Sequence, residues 1–169
     1  YPVAIGASNI LAAELISKGV TIEQGDSSAF KEGTFVASGD GTVERRITSF
    51  NDAYLASVDA IPADTIWYRG PGGMRIEGWL MKPHGWASGA RYPLVLYIHG
   101  GPHGQYGNVY FHEFQMLAGQ GYYVLFTNPR GSTGYGHAFT YASRGRWGME
   151  DYQDLMLGVD EAIRRSGQV

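Results

Sequence analysis

After the apolar run Tyr92-Pro93-Leu94-Val95-Leu96 the chain reads Tyr97-Ile98-His99-Gly100-Gly101-Pro102-His103-Gly104, a glycine loop hung on what has the character of a buried strand end. Adjacent glycines let main chain approach another molecule closely or take φ > 0, so that backbone N–H groups face a partner. Three readings suit such a loop: a donor set for a developing oxyanion, a cradle for phosphate, or a plain tight turn. Pro102 has no N–H, which leaves Gly100, Gly101, His103 and Gly104 as its usable donors.

Other residues that could do chemistry are weaker. Gly131-Ser132-Thr133-Gly134-Tyr135-Gly136 also follows a strand, but it matches neither phosphate-binding glycine pattern, lacks a nearby lysine, and no helix is expected to open at its last glycine. His112-Glu113 starts like a zinc-protease helix, yet Met116 stands where the second histidine belongs, so the pair reads as helix surface. His99 and His103 are four apart, but Gly100, Gly101 and Pro102 forbid the helix that would join their rings, and no metal site is expected. Asp151 and Asp154 fall in a helical first turn, where the macrodipole and solvent account for acids.

A loop that stabilises an oxyanion needs a nucleophile. None of the eleven serines has glycines at both flanking offsets of G-x-S-x-G. The nearest approach, Gly25-Asp26-Ser27-Ser28-Ala29, carries alanine for the second glycine and lies among strand-and-turn sequence, so it reads as a decoy.

Composition narrows the classes further. The chain has 169 residues, 44% hydrophobic and 14% aromatic, enough for a core in one domain or in pieces of two. A formal charge of -3 supplies no basic footprint, so neither nucleic acid nor a membrane surface is an expected partner, and the longest apolar runs are too short to cross a bilayer. With no cysteine there is no disulfide, thiol nucleophile or thiolate metal site. That suits a reducing compartment and favours the cytoplasm, although a chain starting at Tyr1 leaves localisation open. No cofactor is called for.

The elements that must position the loop are legible from period and punctuation. Residues 20–23, 34–38 and 42–48 read as short strands, with Asp40-Gly41 as a hairpin turn between the last two. Residues 51–64 read as a connection, with a boundary between residues 57 and 58. A second hairpin follows, 64–69 and 74–83, with Ile76, Gly78 and Leu80 alternating against Arg75, Glu77 and Trp79 across the turn at 70–73. Then the pattern becomes strand, helix, strand. Residues 93–99 are continuous apolar strand; Asn108 is a candidate cap for a helix presenting Phe111, Phe114, Leu117 and Ala118; Gly121 closes it; residues 122–128 form the next strand. This β-α-β order implies two parallel strands under a crossover. A last helix, over 149–166, is expected to present Tyr152, Leu155, Met156, Val159 and Ile163 on one side, with Gly167 as its stop.

From about Ile66 to Gly167 the chain resembles the prolyl oligopeptidase family of serine peptidases, especially its acylaminoacyl-peptidase-like branch. The phrases that carry the resemblance are residues 76–83 (IEGWLMKP), 92–107 (YPLVLYIHGGPHGQYG), 111–136 (FHEFQMLAGQGYYVLFTNPRGSTGYG) and 145–163 (GRWGMEDYQDLMLGVDEAI). The resemblance implies an α/β fold in which residues 58–169 are the first part of an α/β-hydrolase domain and residues 1–57 the last strands of a β-propeller. It makes Gly101 the oxyanion-hole N–H, with Gly100 beside it, Pro102 and His99 shaping the loop, and Arg130 holding the entrance loop by hydrogen bonds. His99 is then not the catalytic base: serine, aspartate and histidine would follow Val169, on a second polypeptide that completes hydrolase and propeller, leaving this chain alone inactive. The implied activity is hydrolysis of short peptides through an acyl-enzyme. A carboxylesterase of the same fold and a non-catalytic scaffold are the alternatives.

Overall fold

The structure, a computed structural model, describes strand residues 2–3, 35–37 and 44–46, then residues 49–167 and 169. The chain divides into two compact units, Tyr1–Ala60 and Ile61–Val169.

In the first unit β1 (Pro2–Val3), β2 (Phe35–Ala37) and β3 (Glu44–Arg46) form an antiparallel sheet in that order, with Val36 opposite Arg45. The strand expected at 20–23, the Asp40-Gly41 turn and the Gly25–Ala29 decoy lie outside the described residues. A helix, α1 (Asp52–Ser57), occupies sequence read as a connection. Six residues are too few for a hydrophobic period to register, and none of the six is buried.

The second unit is built on a four-stranded mixed sheet. β4 (Ala63–Arg69) and β5 (Arg75–Met81) make the expected hairpin around a 3-10 turn at Pro71–Gly73. β6 (Leu94–Tyr97), α2 (His112–Gly119) and β7 (Tyr123–Asn128) make the crossover unit. The strand order is β4-β5-β7-β6, antiparallel at β4–β5 and β5–β7 and parallel at β6–β7, with Leu96 opposite Leu125. Among the described residues β6 pairs on one side only.

β7 is buried over all six residues and β5 over six of seven. The alternation expected in β5 therefore separates two covered faces rather than core from solvent, because helices flank the sheet on both sides. Ile76, Leu80, Tyr123 and Leu125 point to one face, where Phe139 and Ala162 meet them. Trp79, Met81, Val124 and Phe126 point to the other, where Phe114 and Ala118 of α2 close the core. Trp79 stacks on Phe126 with ring centroids 5.4 Å apart.

α2 begins at His112 with Phe111 at its cap position and no side-chain cap, so Asn108 is not its cap. His112 and Glu113 are exposed. A five-residue helix, α3 (His137–Tyr141), starts directly after Gly136, where none was expected. It buries Phe139.

The last helix, α4 (Glu150–Ser166), ends as expected on Gly167 in the left-handed region, but only part of its expected side turns inward: Val159 packs on the core and Leu155 is half-buried. Its buried residues are Asp151, Asp154, Gly158 and Ala162, a stripe of acids and small side chains. Tyr152, Met156 and Ile163 of the expected apolar side are exposed by 56%, 40% and 44%. The two acids that solvent was to account for are thus inside the protein, Asp154 completely.

Candidate active site

Two loops leave the same end of the sheet. One runs from His99 to Gly107 after β6, the other from Pro129 to Gly136 after β7, and the parallel pairing of these strands sets them side by side. They are joined by hydrogen bonds from one end to the other. Tyr106 N donates to Asn128 Oδ1 at 2.7 Å, and Asn128 Nδ2 returns a bond to Tyr106 O at 3.0 Å. Thr133 N donates to Gly104 O at 3.0 Å, and His103 Nδ1 lies 3.0 Å from Gly131 O. His99 Nε2 lies 2.9 Å from Ser132 Oγ.

The second loop is anchored beneath by Arg130. Its Nε donates to Asp154 Oδ2 at 2.7 Å and one terminal nitrogen to Oδ1 at 2.8 Å, a bidentate fork. The same terminal nitrogen donates to Pro71 O at 2.9 Å, and the Arg130 backbone N–H also reaches Asp154 Oδ2. Both side chains are buried, and the bonded carboxylate holds the guanidinium still higher in pKa than usual. Arg130 is therefore spent on loop, helix and hairpin turn.

Asn128 also donates to Tyr135 Oη at 2.6 Å, and Tyr135 O–H donates to Glu77 Oε2. Burial pushes the Glu77 carboxyl above its ordinary pKa, against the opposing effects of the Tyr135 bond and Arg75. Tyr106, pushed up to about 12 by burial and by Tyr97, sets its ring edge-on to His99 with centroids 5.2 Å apart.

At the head of the first loop, Gly101 has φ 132, and a Cβ there would come within 2.7 Å of His103 N and 2.9 Å of Gly104 N. Only glycine fits that backbone. The following Gly101–Pro102 bond is cis. Gly100 and Gly101 are exposed, while Pro102 and His99 are half-buried. Among the described residues no protein acceptor takes the Gly101 N–H. The Gly100 carbonyl is held instead, 2.9 Å from His99 Nδ1. Beside the loop opens a cavity of about 50 Å³, walled by Ile98, Pro102, Trp147 and Leu155 and lined also by His99, Arg130 and Asp151.

The structure thus brings His99, Gly100, Gly101, Pro102 and Arg130 to one end of one sheet. Sequence reasoning missed two partners, Ser132 and Asp154. Ser132 was hidden inside a glycine pattern weighed only for phosphate; for Asp154 the signal was its place on the stripe 151, 154, 158, 162, which repeats at helical spacing.

A Ser–His contact invites comparison with a nucleophile and its base. Ser132 does not qualify: it is 0% exposed, and the other nitrogen of His99 faces a main-chain carbonyl where a base would have its carboxylate.

Comparison with known proteins places this arrangement. Residues 108–169 match the prolyl oligopeptidase family model. The chain is 46% identical over 129 residues to the peptidase YuxL of Bacillus subtilis, an alignment covering 76% of this chain and 20% of that protein. It is 36% identical over 99 residues to dipeptidyl-peptidase 5 of Schizosaccharomyces pombe, covering 57% and 14%. Among solved structures it is similar to the Pyrococcus horikoshii acylaminoacyl peptidase, with a TM-score of 0.73 and 31% identity over 81% of this chain and 22% of that one. The chain spans about a fifth of the length of such relatives. With the two glycine loops standing on a mixed α/β sheet inside these matches, the chain belongs to the prolyl oligopeptidase family.

Proposed function

We propose that this chain is part of a serine peptidase of α/β-hydrolase fold that cleaves short peptides through an acyl-enzyme, and that its first glycine loop supplies the oxyanion hole. The observation that carries the reading is the Gly101 amide: exposed, without a protein acceptor among the described residues, and rigidly framed at the mouth of a sheet. Preorganised N–H donors aimed at developing negative charge are worth most where they cost no rearrangement during reaction, and losing one typically costs ~3 to 4 kcal/mol in the barrier. Pro102 and His99 shape the loop, and Arg130 braces its neighbour. The names of the relatives, a dipeptidyl-peptidase and an acylaminoacyl peptidase among them, support peptides as the substrate class.

Nucleophile, acid and base are assigned to polypeptide outside residues 1–169, which also completes the propeller that β1–β3 would end. Two features support such a complement. β6 has one free edge among the described residues, and an apolar strand edge invites pairing. α4 exposes Tyr152, Met156 and Ile163 along one side of the helix, an apolar stripe that a partner surface would cover.

The test is labelling of the complete protein with a serine-directed aryl phosphonate, together with hydrolysis of short N-blocked and N-free peptides. The reading expects one labelled serine, outside residues 1–169, and loss of peptide turnover on labelling. Absence of both label and turnover would refute it.

A further inference from the structure

Asn128 ends β7 and is wholly buried, where a polar side chain is kept only with its hydrogen bonds made. A primary amide offers one acceptor oxygen and two hydrogens, and here all are engaged. Oδ1 accepts from Tyr106 N at 2.7 Å; one Nδ2 hydrogen goes to Tyr106 O at 3.0 Å and the other to Tyr135 Oη at 2.6 Å. We propose that Asn128 is a positioning residue for the reaction: by closing the first glycine loop at Tyr106 and the second at Tyr135, its side chain holds the Gly101 N–H at the place where the oxyanion forms. The proposal rests on the reading of that amide as the oxyanion donor and adds what fixes the loop that carries it.

Each partner admits one arrangement of hydrogens. The Tyr106 N–H can only donate, so the amide oxygen faces it; the Tyr106 carbonyl can only accept, so it takes a hydrogen from the amide nitrogen. Tyr135 Oη accepts the second amide hydrogen and gives its own single hydrogen to Glu77 Oε2. No hydrogen is used twice from Tyr106 through Asn128 and Tyr135 to Glu77.

The first loop leaves the sheet where Tyr97, the last residue of β6, lies opposite Phe126, and Gly101 stands between that point and Tyr106. Two cross-links of this stretch, Thr133 N to Gly104 O and His103 Nδ1 to Gly131 O, reach the second loop and not a strand. Asn128 supplies a tie to the sheet. Its side chain exchanges a donor and an acceptor bond with Tyr106, as the peptide of a neighbouring strand would, so the returning chain is held as though still paired. The Tyr106 ring is seated at the same point, its centroid 5.6 Å from those of Phe114 and Phe126.

Pinning the far end of a loop removes conformations from the residues between. Gly100 and Gly101, without Cβ atoms, have the most freedom to lose. The second loop is drawn to the same point: Asn128 precedes it and Tyr135 lies near its far end, so their bond closes it at its base, and Glu77 of β5 holds Tyr135 in turn.

Variants of the complete protein test this. N128D keeps the size of the side chain and the acceptor for Tyr106 N, but it loses both hydrogens and sets an oxygen against Tyr106 O. Its kcat for a short peptide, counted per serine that an aryl phosphonate labels, is expected to fall roughly 10- to 100-fold with KM little changed, the size expected of a misplaced catalytic group. The second readout is a peptidyl trifluoromethyl ketone labelled with 13C at the ketone carbon. The serine oxygen bonds to that carbon, the serine proton passes to the base, and the ketone oxygen becomes an alkoxide whose protonation the 13C shift reports. N128D is expected to protonate that alkoxide at a pH about 1 to 2 higher than the wild type, each step of one being tenfold in stabilisation of the charge. N128A, which adds no charge, is expected to move the titration in the same sense. A move in N128D alone would be the field of the new carboxylate and would overturn the proposal. So would variants with a lower urea midpoint but unaltered kcat and alkoxide titration, the behaviour of a residue that only holds the fold.

The wild-type adduct decides the matter whether or not any variant folds. Its crystal structure is expected to keep both bonds between Asn128 and Tyr106, and an Asn128 turned away from Tyr106 overturns the proposal. A wild type that neither forms the adduct nor hydrolyses peptide fails the proposed function, and this proposal with it; an active wild type beside unaltered variants fails this proposal alone.

Discussion

Asp154 of α4 holds Arg130 of the second glycine loop by a two-toothed ion pair closed off from solvent, with its Oδ2 accepting both Nε at 2.7 Å and the Arg130 backbone N–H at 3.0 Å. Breaking such a pair from one side leaves a buried charge uncompensated, which typically costs about 3–5 kcal/mol. Asp154→Ala is expected to lower stability by that amount, read as a drop in the urea midpoint at constant slope. Replacing both partners together, Arg130→Met with Asp154→Leu, is expected to cost less than Asp154→Ala alone. A double variant worse than the single would show that the pair stabilises beyond its own desolvation cost.

The same helix turn offers a test in which helix propensity and packing disagree. A Cβ on Gly158 would lie 2.7 Å from the Tyr68 hydroxyl, which donates to Asp154 O at 2.8 Å. Alanine is worth about 1 kcal/mol over glycine inside a helix. Overpacking a rigid ring costs about 1–3 kcal/mol, and the displaced hydrogen bond about 1 more. Gly158→Ala is therefore expected to destabilise by about 1–3 kcal/mol; a stabilised variant would contradict the close approach of α4 to β4.

Two carboxyls move stability with pH in opposite senses. Burial raises Glu77 above its ordinary 4.5. The folded state then holds this proton more tightly than the unfolded one, so folding gains as pH falls from neutrality through the raised value and the gain is complete below 4.5. Glu161, hydrogen-bonded by Arg164 and Arg165, is lowered to about 2, and its contribution is present above 4.5 and lost as pH falls toward 2. Both arginines are exposed to solvent, which screens them, so the share of this cluster is under about 1 kcal/mol. In urea midpoints against pH, Glu77→Gln is expected to flatten the profile above 4.5 and Glu161→Gln the profile below it; an exchange of the two effects would contradict the signs.

The exposed stripe on α4 offers a test of the proposed complement. Met156 is 40% exposed, and in residues 1–169 alone Met156→Asp is expected to shift stability by no more than about 0.5 kcal/mol, as surface substitutions do. In the complete protein the same change is expected to loosen the assembly, seen as dissociation or aggregation in size-exclusion chromatography. Unchanged behaviour of the complete protein would mean that this face stays in solvent.

How far the sequence could be read depended on what each element buries. The β4–β5 hairpin, the β6-α2-β7 crossover and the extent of α4 were legible, because β-branched and aromatic runs between glycine turns leave a local signature. The full facing of α4 was not: the bulky stripe at Tyr152, Met156 and Ile163 outweighs the acids by hydropathy, yet Asp154 faces inward to a fork with Arg130, 24 residues away, beside Gly158 and Ala162 packed on the sheet. α1 and α3 were missed because six and five residues hold less than two helical turns. At the site the glycines announced themselves, since their backbone freedom is a residue type. The contact between His99 and Ser132 did not, since it joins residues 33 apart through a pairing of strands.

The most direct measurement is a crystal structure of the complete protein with an aryl phosphonate on its nucleophilic serine. The account predicts the phosphonyl oxygen within about 3 Å of the Gly101 nitrogen, the distance of a donor to an oxyanion. A phosphonyl oxygen bound by other donors, with the Gly101 N–H turned to water, would contradict it.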